Sequence, residues 1–322
     1  MALGVGGVKQ GRADSHGRLG VTAAGIAVVL WALSNVLVKQ AHTSAFVFAF
    51  WRLWLGAAGL WLAGMVTGRP LTRRVLVAVW PAGLMFAVNL VASFSALRLT
   101  TVANVSLIGA LQPALVLTVA GRLFGEVATR WKIAWTGVSV AGVVAVLLGS
   151  PRGPEFRPVG DLLAVVGLVI WVGFLVAAKR ARATIPAFQF MTGVLLIAAV
   201  SLTPFMAVWG RSAAGPRGID WVLIAAVAFV SGTGGHLLVT WAHRHVDLSM
   251  LSLVMVTQPI VATAMARAWL SEPVTLAQIA GGLVALLAVA MVVRGRGFGR
   301  APVAQEASAA VSAGPEEFEP GV

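Results

Sequence analysis

The sequence predicts an all-α membrane protein of ten transmembrane helices, built as two inverted five-helix repeats. Three observations predict it: an apolar composition with few charges, ten apolar runs long enough to cross a bilayer, and a match of one half of the chain to the other. Of the 322 residues 59% are hydrophobic and only 11% charged, and mean hydropathy is +0.90. A soluble domain carries about a quarter charged residues, so this chain lacks the polar surface that a water-soluble fold needs. The net charge of +13 and the pI near 11.8 would suit a nucleic-acid binder. The basic residues, however, form short clusters between apolar runs instead of one basic face, so a lipid bilayer is expected as the partner and nucleic acid is not. The absence of cysteine excludes disulfides, thiolate metal sites and cysteine nucleophiles.

Residues 1–19 are polar and Gly-rich, with Lys9, Arg12 and Arg18, and are read as a cytoplasmic tail. An apolar run then extends from Leu19 to Val38. A cleaved signal peptide has a shorter apolar region and a small-residue cleavage site, whereas here the chain passes Lys39 into another span, so this is the first helix. Further spans are expected at 45–67, 75–97, 102–122, 131–150, 159–178, 187–209, 219–242, 247–269 and 274–294. Hydrocarbon about 30 Å thick needs roughly 20 helical residues, and a helix satisfies its own backbone hydrogen bonds within one span. With the N-terminus in the cytoplasm, sixteen Lys and Arg fall on that side and seven on the other, with Arg52 alone inside a span. The asymmetry places both termini in the cytoplasm and the protein in the cell (inner) membrane. Residues 295–322 are rich in Ala, Gly, Pro and Glu and are expected to be a disordered, solvated tail.

Offsetting the chain by 146 places Ala96, Arg98, Ser106, Leu107, Gln112, Pro113, Ala120, Glu126, Thr129, Ile133 and Ala134 on identical residues from Ala242 to Ala280, eleven identities in 39 positions. The biased composition alone gives about a tenth, so the repeat is real. An offset of 140 adds Trp31 on Trp171, Lys39 on Lys179, Ala41 on Ala181 and Phe50 on Phe190. The first repeat then covers 20–150, a loop 151–158, and the second repeat 159–294. Because each copy has an odd number of helices, the second enters the membrane from the opposite side. Such a pair exposes a midplane site alternately to each side by exchanging the conformations of its halves.

The paired blocks resemble the drug/metabolite transporter superfamily, in particular its EamA-like family. The resemblance rests on Trp31 followed by Lys39, on Arg52, on the polar segment Asn104–Pro113, and on Gly125-Glu126 before the fifth helix. The second half repeats it with Trp171 and Lys179, Ser249–Pro259, and Ser271-Glu272-Pro273 with Gly281, but has Thr192 in place of the arginine, and Trp135 stands opposite Gly281. The resemblance implies ten helices, cytoplasmic termini, and export of amino acids, metabolites or drugs.

Candidate site residues follow from polar or helix-breaking groups inside apolar spans. Pro113 and Pro259 each remove a backbone hydrogen bond, freeing carbonyls near Gly109 and Met255, and are read as hinges with the Gln112 and Gln258 amides beside them. Asn35, Asn89 and Asn104 suit either interhelical bonding or substrate contact. Arg52 lies roughly 10 Å from the edge of its span at 1.5 Å per residue, which suits snorkelling, a carbonyl-paired structural role or a substrate carboxylate. His236 breaks the pseudo-symmetry, since Leu90 is its counterpart; it either ties helices together or serves binding or proton coupling. Trp31 and Trp171 are candidates to wall a cavity, against the usual role of tryptophan in packing or interfacial anchoring. Glu126 is expected to pair with Arg130, four residues on, as an interfacial anchor. Gly137 with Ala141 and Gly281 with Ala285 would permit close helix contact, which leaves room for a homodimer.

No catalytic residue, metal ligand set or cofactor motif is expected, and no GxxxxGK[ST] loop is present. The partner implied is a small-molecule substrate. Two alternatives to a secondary transporter are weighed. An intramembrane enzyme would have only Ser231, Thr233 and His236 to use, with no acidic orienter. A scaffold or sensor has no need of two inverted copies with matched helix breaks.

Overall fold

The computed structural model describes residues 5–100, 102–126, 129–149, 157–209, 215–270 and 274–294. Among them are ten helices long and apolar enough to cross a membrane, and no strand. The spans are Gly17–Ser34, Phe46–Val66, Arg73–Ser93, Leu107–Phe124, Arg130–Leu148, Pro158–Ala181, Ala187–Val208, Ile219–Ala242, Leu248–Trp269 and Leu276–Arg294. The first helix begins at Val5, so residues 5–19 extend the first span as helix. Most of the loop 151–158, and all of the tail 295–322, lie outside the described residues.

Local chemistry sets the helix ends. Ser44, Thr72 and Thr129 stand in extended conformation before the second, third and fifth spans, and each hydroxyl accepts a backbone N–H of the first turn. Thr275 and Gln278 cap the tenth span reciprocally, each side chain accepting the other's backbone N–H. The fourth span stops at Gly125, whose φ of 63° suits a residue without Cβ.

Two spans break where sequence expects it. The fourth runs Val102–Gly109 and resumes at Gln112, and the ninth runs Leu248–Met255 and resumes at Gln258. Pro113 and Pro259 have no N–H for the carbonyls four residues earlier, so the chain tightens into three-residue bonds such as Leu111 to Ile108 and Thr257 to Val254. The eighth span departs differently. Between α-helical Ile219–Ala226 and Gly235–Ala242, residues Val227–Gly234 form a π-helix.

Packing does not give two separate bundles. The most extensive helix pairings each join one half to the other: third to sixth and seventh, second to seventh, first to eighth and ninth, and fifth to tenth. This pattern is what an inverted two-fold requires. Moving five spans along, the third–sixth contact maps onto eighth–first, and third–seventh onto eighth–second. The pairs second–seventh, fourth–ninth and fifth–tenth map onto themselves. In the fifth–tenth pair the backbones nearly touch, since a Cβ on Gly281 would sit 2.6 Å from the Gly142 carbonyl oxygen. The small residues Gly281 and Ala285, read from sequence as a ground for dimerisation, are thus used inside the chain, whereas Gly137 meets nothing within 4 Å.

Candidate functional site

The two pseudo-equivalent tryptophans meet near the middle of the fold. Trp31 and Trp171 lie edge to face with ring centroids 6.3 Å apart, where the first and sixth spans face each other. Around them stand Phe174, stacked on Trp171 at 5.1 Å, and Phe86, 6.5 Å from Trp171. His236 closes the group at 4.9 Å from Trp31 and 5.0 Å from Phe86. Five aromatic rings from the first, third, sixth and eighth spans therefore form one box. Phe86 and Phe174 were not legible as site residues, because a phenylalanine in an apolar run looks the same whether it faces lipid or core. Each is 2% exposed, and only the i+3 spacing of Phe174 from Trp171 signals a shared face.

Arg52 approaches the box from the second span. Its Nε lies 3.9 Å from the position a Cβ on Gly232 would take, within the π-helical segment, and the charge is close enough to His236 to act on it electrostatically. Among the described residues no carboxylate or carbonyl accepts a hydrogen bond from Arg52, so neither an ion pair nor a carbonyl tie accounts for it. Two neighbouring donors are likewise unsatisfied: Trp31 Nε1 and Thr233 Oγ1 are buried without a partner. Ser231, by contrast, donates to the Val227 carbonyl of its own helix.

The amide candidates divide. Asn89 donates to the Gly167 carbonyl at 2.9 Å, and Asn104 to Asp161 Oδ1 at 2.6 Å, beside Thr100, which donates to the same oxygen. Both tie first-half helices to the sixth span. Gln112 is buried, with Nε2 3.8 Å from Met255 Sδ across the fourth–ninth contact, and Gln258 is half-buried at the matching break. The side chain of Asn35 lies outside the described residues.

A second polar cluster closes one end of the molecule. Glu126 follows Gly125, where the helix has stopped, so the four-residue spacing expected to bring it to Arg130 does not apply; it turns instead to the second half. It pairs with Lys179 at 3.3 Å and accepts the N–H groups of Leu248 and Ser249 at the start of the ninth span, together with the Ser249 hydroxyl. Burial would raise the Glu126 pKa, but the Lys179 charge and these donors outweigh it and hold the carboxyl below its usual range. Nearby, Lys132 pairs with Asp247 at 3.4 Å and Lys179 donates to the Val246 carbonyl. His243 is buried there with neither ring nitrogen partnered; burial, and then the Lys179 and Arg182 charges, push its pKa down to about 3. At the opposite end His42 contacts Asp220, whose carboxylate accepts the His42 backbone N–H. Among the described residues no three His, Asp or Glu side chains group to hold a metal.

Comparison with known proteins agrees with this architecture. The EamA-like transporter family matches residues 18–148 and again 158–294, one match to each repeat. The aromatic amino acid exporter YddG of Ancylobacter novellus is 29% identical over 252 residues, 74% of this chain and 84% of that one. The pseudopaline exporter CntI of Pseudomonas aeruginosa is 23% identical over 271 residues, 84% of this chain and 94% of that one. A solved crystal structure shares the fold, with a TM-score of 0.76 at 21% identity, covering 85% of this chain and 96% of that one. With both of its halves matched, the chain belongs to the EamA-like transporter family.

Proposed function

We propose that this protein is a secondary exporter of small, partly apolar metabolites, working by alternating access across the inner membrane. The observation that carries the reading is the exchange symmetry of the helix contacts: off-axis pairs such as third–sixth and eighth–first interconvert when the halves swap conformation. The aromatic box sits where the pseudo-equivalent Trp31 and Trp171 meet, so a solute there is approached equally from both halves. Both named relatives are exporters, which supports the outward direction. The excess of Lys and Arg on the Glu126 side supports a cytoplasmic position for that end and for both termini.

In this reading Trp31, Trp171, Arg52 and His236 contact the solute, and Asn35, four residues on from Trp31 in sequence, is a further candidate. Asn89 and Asn104 hold the sixth span in register. The breaks at Pro113 and Pro259, with Gln112 and Gln258, are the hinges. The enzymatic alternative is disfavoured because Ser231 is bonded to its own helix and no carboxylate orients His236 among the described residues. The test is flux in liposomes holding the purified protein, against a metabolite and drug panel with and without an imposed proton gradient. Saturable, protein-dependent movement of a panel member is expected. Hydrolytic turnover that disappears in His236→Ala would overturn the transporter reading.

A further inference from the structure

We infer that Gly232 is a positioning residue of the aromatic box: lacking a side chain, it permits the π turn of the eighth span, and that turn is what faces His236 toward Trp31 and Phe86. The inference deepens the exporter reading by naming how one member of its site is placed, and rests on that reading only for what the box contacts.

At the start of the eighth span Asp220, Leu223, Ile224 and Val227 are buried, one stripe at three- and four-residue spacing. His236 lies nine residues beyond Val227. In an unbroken α-helix of about 3.6 residues per turn, nine residues make roughly two and a half turns, which would put His236 opposite the buried stripe. It is instead 8% exposed, and the piece after the turn buries Gly235, His236, Val239 and Thr240. Hydrogen bonds that reach five residues along widen each turn, so the π-helical Val227–Gly234 brings those nine residues to about two whole turns and His236 onto the buried face. The third helix, the pseudo-equivalent of this span, is α-helical from Arg73 to Leu99, with Val79, Ala82, Phe86 and Leu90 buried at α-helical spacing. There Val77, the counterpart of Leu223 by the 146 offset, is 63% exposed, whereas Leu223 is buried. The two helices therefore start out of phase, and the π turn restores the phase before Leu90 and His236.

Gly232 makes room for the wide turn. A Cβ there would lie 2.6 Å from the carbonyl oxygen of Val227, five residues earlier, which is too close for any side-chain carbon. At Gly234 the same contact, to the Phe229 carbonyl oxygen, is 3.4 Å and ordinary. The Ser231 hydroxyl donates to the Val227 carbonyl at 3.2 Å, a side-chain bond four residues back of the kind that bends a helix. The second span receives the widened turn with glycines: Thr233 Oγ1 stands 2.9 Å from where a Cβ of Gly56 would be, and Phe229 Cε1 2.4 Å from that of Gly59. Such turns occur frequently at functional sites, and this one ends two residues before His236.

The chain has no native cysteine, so introduced pairs react without background. The experiment scores two thiol cross-links, made with a short bifunctional methanethiosulfonate in the purified full chain. One joins Phe86→Cys to His236→Cys, whose native rings are 5.0 Å apart; the other joins Trp51→Cys to Trp221→Cys, 5.1 Å apart and ahead of the π turn. Both are expected to form. Gly232→Ala is expected to lower the first at least tenfold and leave the second unchanged, because an α-helical segment swings His236 away while the start of the span stays in place. Gly234→Ala, which raises helix propensity equally but meets no clash, is expected to change neither. Should Gly232→Ala lose both links by failing to fold, Ser231→Ala is expected to lower only the first, severalfold. Failure of the first link to form in the otherwise unaltered chain, its persistence in Gly232→Ala or in a deciding Ser231→Ala, or an equal loss in Gly234→Ala overturns the inference. The links form without any solute, so absence of flux in liposomes would count against export and leave the assignment of Gly232 standing.

Discussion

Replacing Glu126 by Gln keeps the shape of the side chain but removes its charge. The carboxylate accepts the Leu248 N–H at 2.8 Å and the Ser249 N–H at 3.1 Å, and lies 3.3 Å from Lys179 Nζ, with side-chain exposures of 4% and 12% for the pair. Breaking a buried pair by removing one partner costs about 3–5 kcal/mol. That figure is reduced here because the Gln oxygen still accepts one N–H and Lys179 keeps the Val246 carbonyl at 3.2 Å. About 2–3 kcal/mol is therefore expected for Glu126→Gln. Lys179→Met leaves the carboxylate with its three donors at a helix N-terminus, so only about 1–2 kcal/mol is expected. The double variant should lose about 1 kcal/mol less than the sum of the singles, because the second change removes a charge the first left stranded. The assay is reversible unfolding in mixed micelles followed by tryptophan fluorescence. A loss below about 0.5 kcal/mol for Glu126→Gln, or a larger loss for Lys179→Met, would refute the assignment of Glu126 as the group that holds this end together. The pH dependence has a defined sign. Because the folded pKa is depressed, the contribution is complete above the ordinary value of 4.5 and fades only as pH falls below it.

Three further outcomes follow from the geometry. His243 binds a proton near 6.5 when exposed but only at about 3 when folded, so stability should fall as pH drops below 6.5, by up to about 1.4 kcal/mol per pH unit; unfolding at pH 7, 6 and 5 checks this, and His243→Leu should flatten the slope. Gly281→Ala forces a methyl group onto the Gly142 carbonyl and the Val146 backbone, and should destabilise by about 1–3 kcal/mol, whereas Gly137→Ala, with open space around it, should be neutral or slightly stabilising in the same unfolding assay. Asp161→Asn should loosen the start of the sixth span from the third and fourth, since the carboxylate accepts from Thr100, Asn104 and the Arg157 backbone; faster amide exchange confined to the start of the sixth span checks it.

The span limits were legible because length and hydropathy alone set them, as at Arg130–Leu148 against an expected 131–150. The breaks were legible too, since a proline removes its own donor whatever surrounds it. Yet Pro81 and Pro204 sit inside continuous helices, so a proline marks a lost bond without deciding whether the helix stops. The π-helical segment was not legible. Val227–Gly234 carries no proline, and its wider turn accompanies close approaches of Thr233 to Gly56 and of Phe229 to Gly59 that are set by another helix. The Glu126 partner was misjudged for a definite reason: a four-residue spacing brings side chains together only along an unbroken helix, and Gly125 ends that helix one residue earlier. Trp31 and Trp171 could be matched by offset, but their meeting depended on how the halves interlock, which no single helix records.

The bare backbone seam at Gly142 and Gly281 has a mechanical consequence. Its helix pair is its own image under the swap of halves, so it keeps one geometry while the off-axis pairs trade places. With no side chain between the two helices at the seam, sliding would drive carbonyl oxygens into Cα atoms. If the halves exchange as proposed, what is left is rocking, with this seam as the fulcrum.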